Sequence, residues 1–269
     1  MNKNRYFIKL AYNGRHYHGW QVQPNADTVQ GTLNHAISML LREKVNLIGA
    51  GRTDTGVHAS TFHAHFDLDQ DLGDANAIQH FIFRLNNYLP CEIAIYEVFP
   101  VHQKSHARFS ALSRTYKYYI TKKKDPFRFA TSYYFYGDLD IDRMNEACEI
   151  LYSYKDFTSF AKANAQTTTN LCDLYRADWK EEGDMLVFTI RANRFLRNMV
   201  RAIVGTLMDI GQHKLSTLDM HRVIQQQERS SAGFSAPARG LFLYDIEYPE
   251  ALFDGEEVKA GVVTEETDE

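Results

Sequence analysis

Between Tyr6 and Val98 the apolar residues follow a strand period and a helical period in turn. That succession restricts the fold more than any other property of the chain. Tyr6 to Ala11 alternates, with Tyr6, Ile8 and Leu10 on one face. Asp27-Thr28-Val29-Gln30 opens a helix, with Asp27 and Gln30 at capping-box spacing. Its Val29, Leu33, Ala36, Ile37, Leu40 and Leu41 recur at the helical period. Val45 to Ile48 reads as a short strand. Ala59 to Phe66 reads as another, with Phe62, Ala64 and Phe66 alternating against Thr61, His63 and His65. Asp74 starts a second helix that carries Ile78, Phe81, Ile82, Leu85 and Tyr88 and closes at Pro90, and Ile93 to Val98 is a strand. The order strand, helix, strand, strand, helix, strand predicts an α+β domain with helices on one face of a largely antiparallel sheet.

A second unit begins near Arg108. Thr115 to Thr121 alternates, with Tyr116, Tyr118 and Ile120 on one side. Asp140 to Tyr152 is a helix with Ile141, Met144, Cys148 and Leu151 on its stripe. Met185 to Ala192 is a strand, Phe195 to Ile210 a helix capped by Gly211, Ser216 to Gln226 a helix, and Leu241 to Tyr248 a closing strand. Strands again alternate with helices, so two similar halves are expected: residues 1–107 and 108–249, followed by an acidic, unstructured tail at 250–269.

The connection between the strands at 45–48 and 59–66 is Gly49-Ala50-Gly51-Arg52-Thr53-Asp54-Thr55-Gly56-Val57-His58. It holds one carboxylate in a glycine-bracketed loop, with a guanidinium two residues before it. Three glycines open backbone conformations closed to other residues. A neighbouring arginine favours the ionised form of an aspartate. An ionised, immobilised aspartate with no partner acid reads as a nucleophile or electrostatic catalyst. The plainer reading is a surface turn with an ion pair, and strand-like flanks on both sides weigh against it.

The net charge of −4 argues at first against a polyanionic partner. Its distribution reverses that. Residues 250–269 hold eight acids and one lysine, a net of −7, which leaves 1–249 at +3. From Lys104 to Arg128 there are eight Lys and Arg against the single acid Asp125, interleaved with serine, histidine and tyrosine. Clustering sets the local field that attracts phosphate. The three cysteines, Cys91, Cys148 and Cys172, are odd in number and far apart, as in a reduced cytoplasmic protein rather than a disulfide framework or zinc site. No apolar run is long enough for a membrane span, and Met1-Asn2-Lys3-Asn4-Arg5 does not read as a signal peptide.

Arg194, Arg197 and Arg201 are spaced three and four apart, so on a helix they share a face, and no acid lies between Arg191 and Ala202. Arg114-Thr115-Tyr116-Lys117-Tyr118 places two tyrosines on one strand face between cations, an arrangement suited to splayed RNA bases. One of the two is expected in the core instead. His16-Tyr17-His18 and His63-Ala64-His65 have the spacing of paired ligands on a strand, but no third ligand is evident nearby, so no metal is expected. There is no phosphate-binding Walker loop, no G-x-G-x-x-G and no Gly-x-Ser-x-Gly elbow.

Together these stretches resemble the tRNA pseudouridine synthase A family. Tyr12-Asn13-Gly14 through Gly19-Trp20-Gln21, then Thr28-Val29-Gln30-Gly31, is the first match. Gly51 to Ala59 is the second and the most specific. His106-Ala107-Arg108-Phe109-Ser110-Ala111 with Arg114 to Tyr118 is the third. Phe195 to Gly205 with Ala236-Pro237-Ala238-Arg239-Gly240-Leu241 is the fourth. Asp156-Phe157-Thr158-Ser159-Phe160 also fits, whereas Ala161 to Leu171 departs from the family's arginine-containing pattern.

The resemblance implies isomerisation of uridine to pseudouridine at positions 38, 39 and 40 of the tRNA anticodon stem-loop, by a cytoplasmic homodimer that needs no cofactor. It makes Asp54 the nucleophile, Arg201 its ion-pair partner, and Tyr116 the ring that stacks on the target base and helps move a proton. Arg52 extrudes the nucleotide, and Arg108, Arg114, Tyr118 and Arg197 complete the RNA contacts. The expected fold is α+β: two similar subdomains, each a mostly antiparallel sheet with helices on one face, joined around a central RNA-binding cleft. The chemistry agrees, since one carboxylate can attack the sugar carbon or ring carbon six, or assist a glycal route. Extruding the base costs a few kcal/mol, which basic tracts and an inserted side chain can supply.

Two rivals share these features. A non-catalytic RNA-binding protein or RNA chaperone uses the same basic and aromatic tracts. An aspartic protease shares Asp54-Thr55-Gly56, but needs two aspartates sharing a proton, and Arg52 opposes that state.

Overall fold

The first strand, β1 (Asn4–Tyr12), runs antiparallel to a partner on each side: β3 (His58–Leu68) and β4 (Ile93–Pro100). Tyr6 faces Phe66, Ile8 faces Ala64 and Leu10 faces Phe62 across the β1–β3 ladder, so the predicted apolar faces coincide. Helix α1 (Val29–Leu41) turns Val29, Leu33, Ala36 and Ile37 inward. Helix α2 (Ala75–Tyr88) turns in Ile78, Phe81, Ile82 and Leu85. Asp74 caps α2 as expected, accepting from the Ala77 N–H at 2.9 Å. The α1 cap is Thr28 rather than Asp27: the Thr28 hydroxyl accepts from Gly31 N. Gln30 instead bridges Val22 N and Leu47 O with its side-chain amide. The strand expected at 45–48 is shorter and later, β2 (Ile48–Gly49), paired antiparallel with β3.

Residues 3–162 and 168–257 are described by this computed structural model, and they form two compact units, 3–112 with 243–257 and 113–242. The border expected at 107/108 therefore lies five residues early, and the closing strand contributes most of its length to the first unit. The first unit buries both faces of its sheet. Phe7 points away from Ile8, and its ring meets His65 and Tyr248 at centroid distances of 5.9 and 5.6 Å. His63 and His65, read as the polar edge of a strand, are thereby buried.

In the second unit β8 (Met185–Ala192) takes the central place, antiparallel to both β5 (Ser113–Thr121) and β7 (Leu174–Glu182). The two-residue β6 (Tyr133–Tyr134) pairs parallel with β5. Helix α3 (Ile141–Leu151) is capped by Asp140 and buries Met144, Ala147, Cys148 and Leu151. Helix α4 (Met199–Gly211) is buried almost throughout. It begins four residues later than its apolar period suggests, because Asn198 sits in the left-handed region at φ 70° and breaks the helix before Met199. Helix α5 spans Asp219–Gln226 and β9 spans Leu241–Glu247.

The two units share a plan. A strand, a helix, an antiparallel hairpin and a second helix follow in both, with β1 against β3 and β2 against β3 in one, β5 against β8 and β7 against β8 in the other. The fold is α+β, as the element order predicts.

The first part of the expected tail is structured. α6 (Glu250–Phe253) buries Leu252, sets the Phe253 ring at a tilt 5.6 Å from that of Phe99, and is followed by an ion pair between Glu257 and Lys104 at 2.7 Å. The rest of the tail, 258–269, and residues 163–167 of the divergent segment lie outside the described residues. Among the described residues no helix is long and apolar enough to cross a membrane.

Candidate active site

Asp54 lies on the connection from β2 to β3, and the first unit fixes that loop from several directions. The Thr53 hydroxyl is 2.8 Å from the Tyr12 hydroxyl, at the end of β1. The Thr53 carbonyl accepts from Trp20 N at 3.2 Å, and Ala50 N donates to His63 O at 2.8 Å. Beyond the aspartate, Val57 N donates to Asp54 O at 3.1 Å and Gly56 N to Tyr17 O at 3.3 Å. His58 is fully buried, and its Nδ1 accepts from Gly14 N at 3.1 Å. The loop is therefore closed on itself and tied to the 12–20 segment, while Asp54 stays half-buried and Arg52 exposed.

Only one of the three loop glycines uses a left-handed backbone: Gly56, at φ 77°. Gly49 is needed for a different reason. A Cβ there would press into the Trp20 indole, which is itself stacked 4.1 Å from Phe62. At Gly51 an added Cβ meets nothing within 4 Å. The 12–20 segment has its own requirement at Gly19, at φ 89°, where a Cβ would overlap the Thr53 carbonyl oxygen.

Two of the remaining first-unit features are histidines that the sequence left as polar strand positions. His65 Nδ1 accepts from Ala107 N at 3.1 Å, and the ring lies 4.5 Å from His106. Burial, then the neighbouring His106 and Arg5, push its pKa down to about 3. Burial, with Lys9, lowers that of His63 to about 4. Among the described residues no three His, Cys, Asp or Glu side chains are grouped to hold a metal. Arg108 is half-buried, its guanidinium 5.5 Å from the Phe109 ring centre.

The second unit gathers the other predicted residues around the turn that leads into α4. Tyr116, on β5, is half-exposed and meets Phe195 edge to face at 5.1 Å. Arg114 on the same strand is buried and donates to Asn193 O at 2.8 Å, which braces the turn before α4. Tyr118 is a core residue. Its ring is fully buried, its hydroxyl donates to Pro237 O at 2.9 Å, and burial raises its pKa, which removes it from any RNA-contacting surface. Arg194, Arg197 and Arg201 do not share a helical face, because only Arg201 belongs to α4. Arg197 is exposed on the preceding turn, where its carbonyl accepts from Lys162 N at 2.9 Å. Arg201 is half-buried, and its Nε donates to Ala236 O at 2.7 Å.

Sequence reasoning missed the buttresses: Tyr12, Thr53, His58 and the 232–236 segment that holds Arg201. Their signal was present only as positions within the matching stretches: Tyr12-Asn13-Gly14, Gly51 to Ala59, and Ala236-Pro237.

A family model described as tRNA pseudouridine synthase matches residues 9–110 and 147–249. The chain is 51% identical over 253 residues to the tRNA pseudouridine synthase A of Parabacteroides distasonis, covering 94% of this chain and 99% of that one. It is 52% identical over 263 residues to the protein of the same name from Bacteroides thetaiotaomicron, covering 97% and 96%. Against that of Caldicellulosiruptor bescii it is 39% identical over 243 residues, covering 90% and 98%. The chain belongs to the tRNA pseudouridine synthase family. The matched segments contain Arg52, Asp54, Arg108, Arg197 and Arg201, while Arg114, Tyr116 and Tyr118 fall between them.

Proposed function

We propose that this protein isomerises uridine to pseudouridine at positions 38, 39 and 40 of the tRNA anticodon stem-loop, with Asp54 as the nucleophile. The observation that carries the reading is the mount of Asp54. The residue before it is bonded through both its hydroxyl and its carbonyl, and the backbone after it is tied to Tyr17. A half-buried carboxylate on so constrained a loop is preorganised for attack.

The net reaction is redox-neutral. The N1–C1′ bond of the nucleotide breaks, the C5–C1′ bond forms, the proton on C5 leaves and N1 takes one up. The carboxylate attacks C1′ or C6, or assists a glycal route, and each gives the base freedom to turn before C5 bonds to the sugar. No cofactor is called for by this balance.

Tyr116 is assigned to stack on the extruded base and assist proton movement, and its half-exposed position on β5 suits that role. Arg201 is assigned as the ion-pair partner of Asp54. Arg52 aids extrusion, and Arg108 and Arg197 hold backbone phosphate. The working form is a cytoplasmic homodimer.

The test uses tRNA transcripts carrying tritium at C5 of uridine, since the C5 hydrogen leaves only when the new bond forms. The wild type releases tritium and D54N binds the same tRNA without releasing it. Release by D54N at the wild-type rate, or no pseudouridine formed by the wild type on any tRNA with uridine at these positions, overturns the assignment. Binding without conversion by the wild type would leave an RNA-binding protein.

A further inference from the structure

We infer that Arg229 is a positioning residue for Arg201, acting through the loop at 232–236. The inference rests on the reading that Arg201 is catalytic. Arg229 lies in a short 3-10 turn, and its guanidinium donates to three successive acceptors: Ala232 O at 3.3 Å, Gly233 O at 2.9 Å and the Ser235 hydroxyl at 2.8 Å. A planar fork of donors matches several acceptors at once in a way that an ammonium does not.

The loop so gripped is stitched to the first two turns of α4. Gly233 N donates to the Thr206 hydroxyl at 2.8 Å, and Asn198 Nδ2 donates to the Ser235 hydroxyl at 2.9 Å. Ala236 N donates to Arg201 O at 3.0 Å, and Ala236 O accepts from Arg201 Nε at 2.7 Å. Contact between loop and helix is so close that a Cβ on Gly205 would overlap the Phe234 carbonyl oxygen. Arg201 is therefore aimed by the carbonyl of Ala236. That carbonyl stands where it does because the four residues before it are held between α4 on one side and Arg229 on the other.

The charges support the same reading. All three acceptors of Arg229 are uncharged, and burial together with the nearby Arg201 lowers its pKa. Two like charges held near one another are unfavourable by themselves. The arrangement raises the positive potential around Arg201, which serves a group whose partner is an anion.

The experiment compares R229Q, R229K, S235A and R201Q by tritium release from C5-labelled tRNA, with rates expressed per tRNA-binding site from an active-site titration. R229Q is expected to lower kcat about tenfold with KM and tRNA affinity within twofold. S235A, which removes one of the three acceptors, should lower kcat by a smaller factor with KM likewise unchanged. R229K should remain close to R229Q, since a lysine restores the charge but not the fork. Full recovery in R229K would mean that charge alone is used and would overturn the positioning role. Equal losses in tRNA affinity and turnover would overturn it in favour of a general structural one. If R229Q does not fold, S235A decides by the same split between kcat and KM. Wild-type turnover in R201Q would sink the catalytic reading of Arg201 itself. Loss in R201Q with none in R229Q and S235A would sink only the present inference.

Discussion

The hydroxyls of Tyr12 and Thr53, 41 positions apart in sequence, lie 2.8 Å from each other in the interior of the first unit. This pair joins the end of the central strand to the residue before Asp54. Removing one partner takes this buried bond from the other, at a cost of about 1–3 kcal/mol. Y12F and T53V are each expected to lose stability in that range by urea unfolding. The double variant should lose less than the two together, because both single changes remove the same bond. Turnover should fall in all three, as the aspartate loop loosens.

Tyr118 provides a contrast with Tyr116. Y118F removes the shorter of the two hydrogen bonds to Pro237 O, leaving the one from Gly240 N at 3.3 Å, and is expected to cost about 1 kcal/mol of stability while leaving the KM for tRNA unchanged. Y116A should do the reverse, with little effect on unfolding and a large loss of turnover. Urea melts set beside steady-state kinetics separate the two.

Acid stability is set in part by His63 and His65. Both have pKa values below their unfolded value, to about 4 and about 3, chiefly through burial. Between pH 6.5 and 4 the unfolded chain binds protons that the folded one refuses, so stability rises with pH across this window and is lost as pH falls through it. Each histidine contributes a loss of up to ~3 kcal/mol by pH 4. Urea unfolding at pH 7, 5.5 and 4 measures the slope. H65N, whose amide oxygen can still accept from Ala107 N, should flatten it by about half.

The C-terminal turn contributes to the first unit's core. L252A removes a fully buried side chain and is expected to cost ~2–3 kcal/mol. Truncation after residue 257 keeps Leu252, the Phe253–Phe99 contact and Glu257, and should leave the melting temperature within about 2 °C. A larger drop would show that residues beyond 257 also dock.

Affinity for tRNA should fall steeply with salt. With about four phosphate contacts, raising salt from 50 to 200 mM is expected to weaken binding on the order of a hundredfold. R108A and R197A should each lower the slope of log affinity against log salt by about one contact. An affinity indifferent to salt would count against the assigned cations.

Much of the architecture was readable because apolar residues repeat cleanly wherever one face of an element is buried. α2 and α3 were found with their caps, since Asp74 and Asp140 bond their own helices three residues on. β7 escaped notice because only Ala177 and Trp179 are buried along it, among charged and exposed neighbours. The start of α4 was misplaced for the opposite reason. Phe195 and Leu196 keep the helical period, yet a single left-handed residue, Asn198, ends it. The carboxylate, its loop and the arginines were visible as local composition. Their supports were not, because a tyrosine hydroxyl reaching across 41 residues, or a guanidinium gripping three acceptors ahead of it, leaves no periodic trace.

The shared plan of the two units has a consequence for how such chemistry can arise. In the first, the hairpin between β2 and β3 is opened by residues 50–57, which carry Asp54. In the second, the equivalent hairpin between β7 and β8 is closed by Gly183 and Asp184 alone, with Gly183 at φ 65°. The carboxylate thus belongs to the length of one connection and not to the sheet beneath it. The molecule carries a second hairpin of the same plan without that connection, and grafting a longer loop at 183–184 would ask whether a carboxylate can be mounted there a second time.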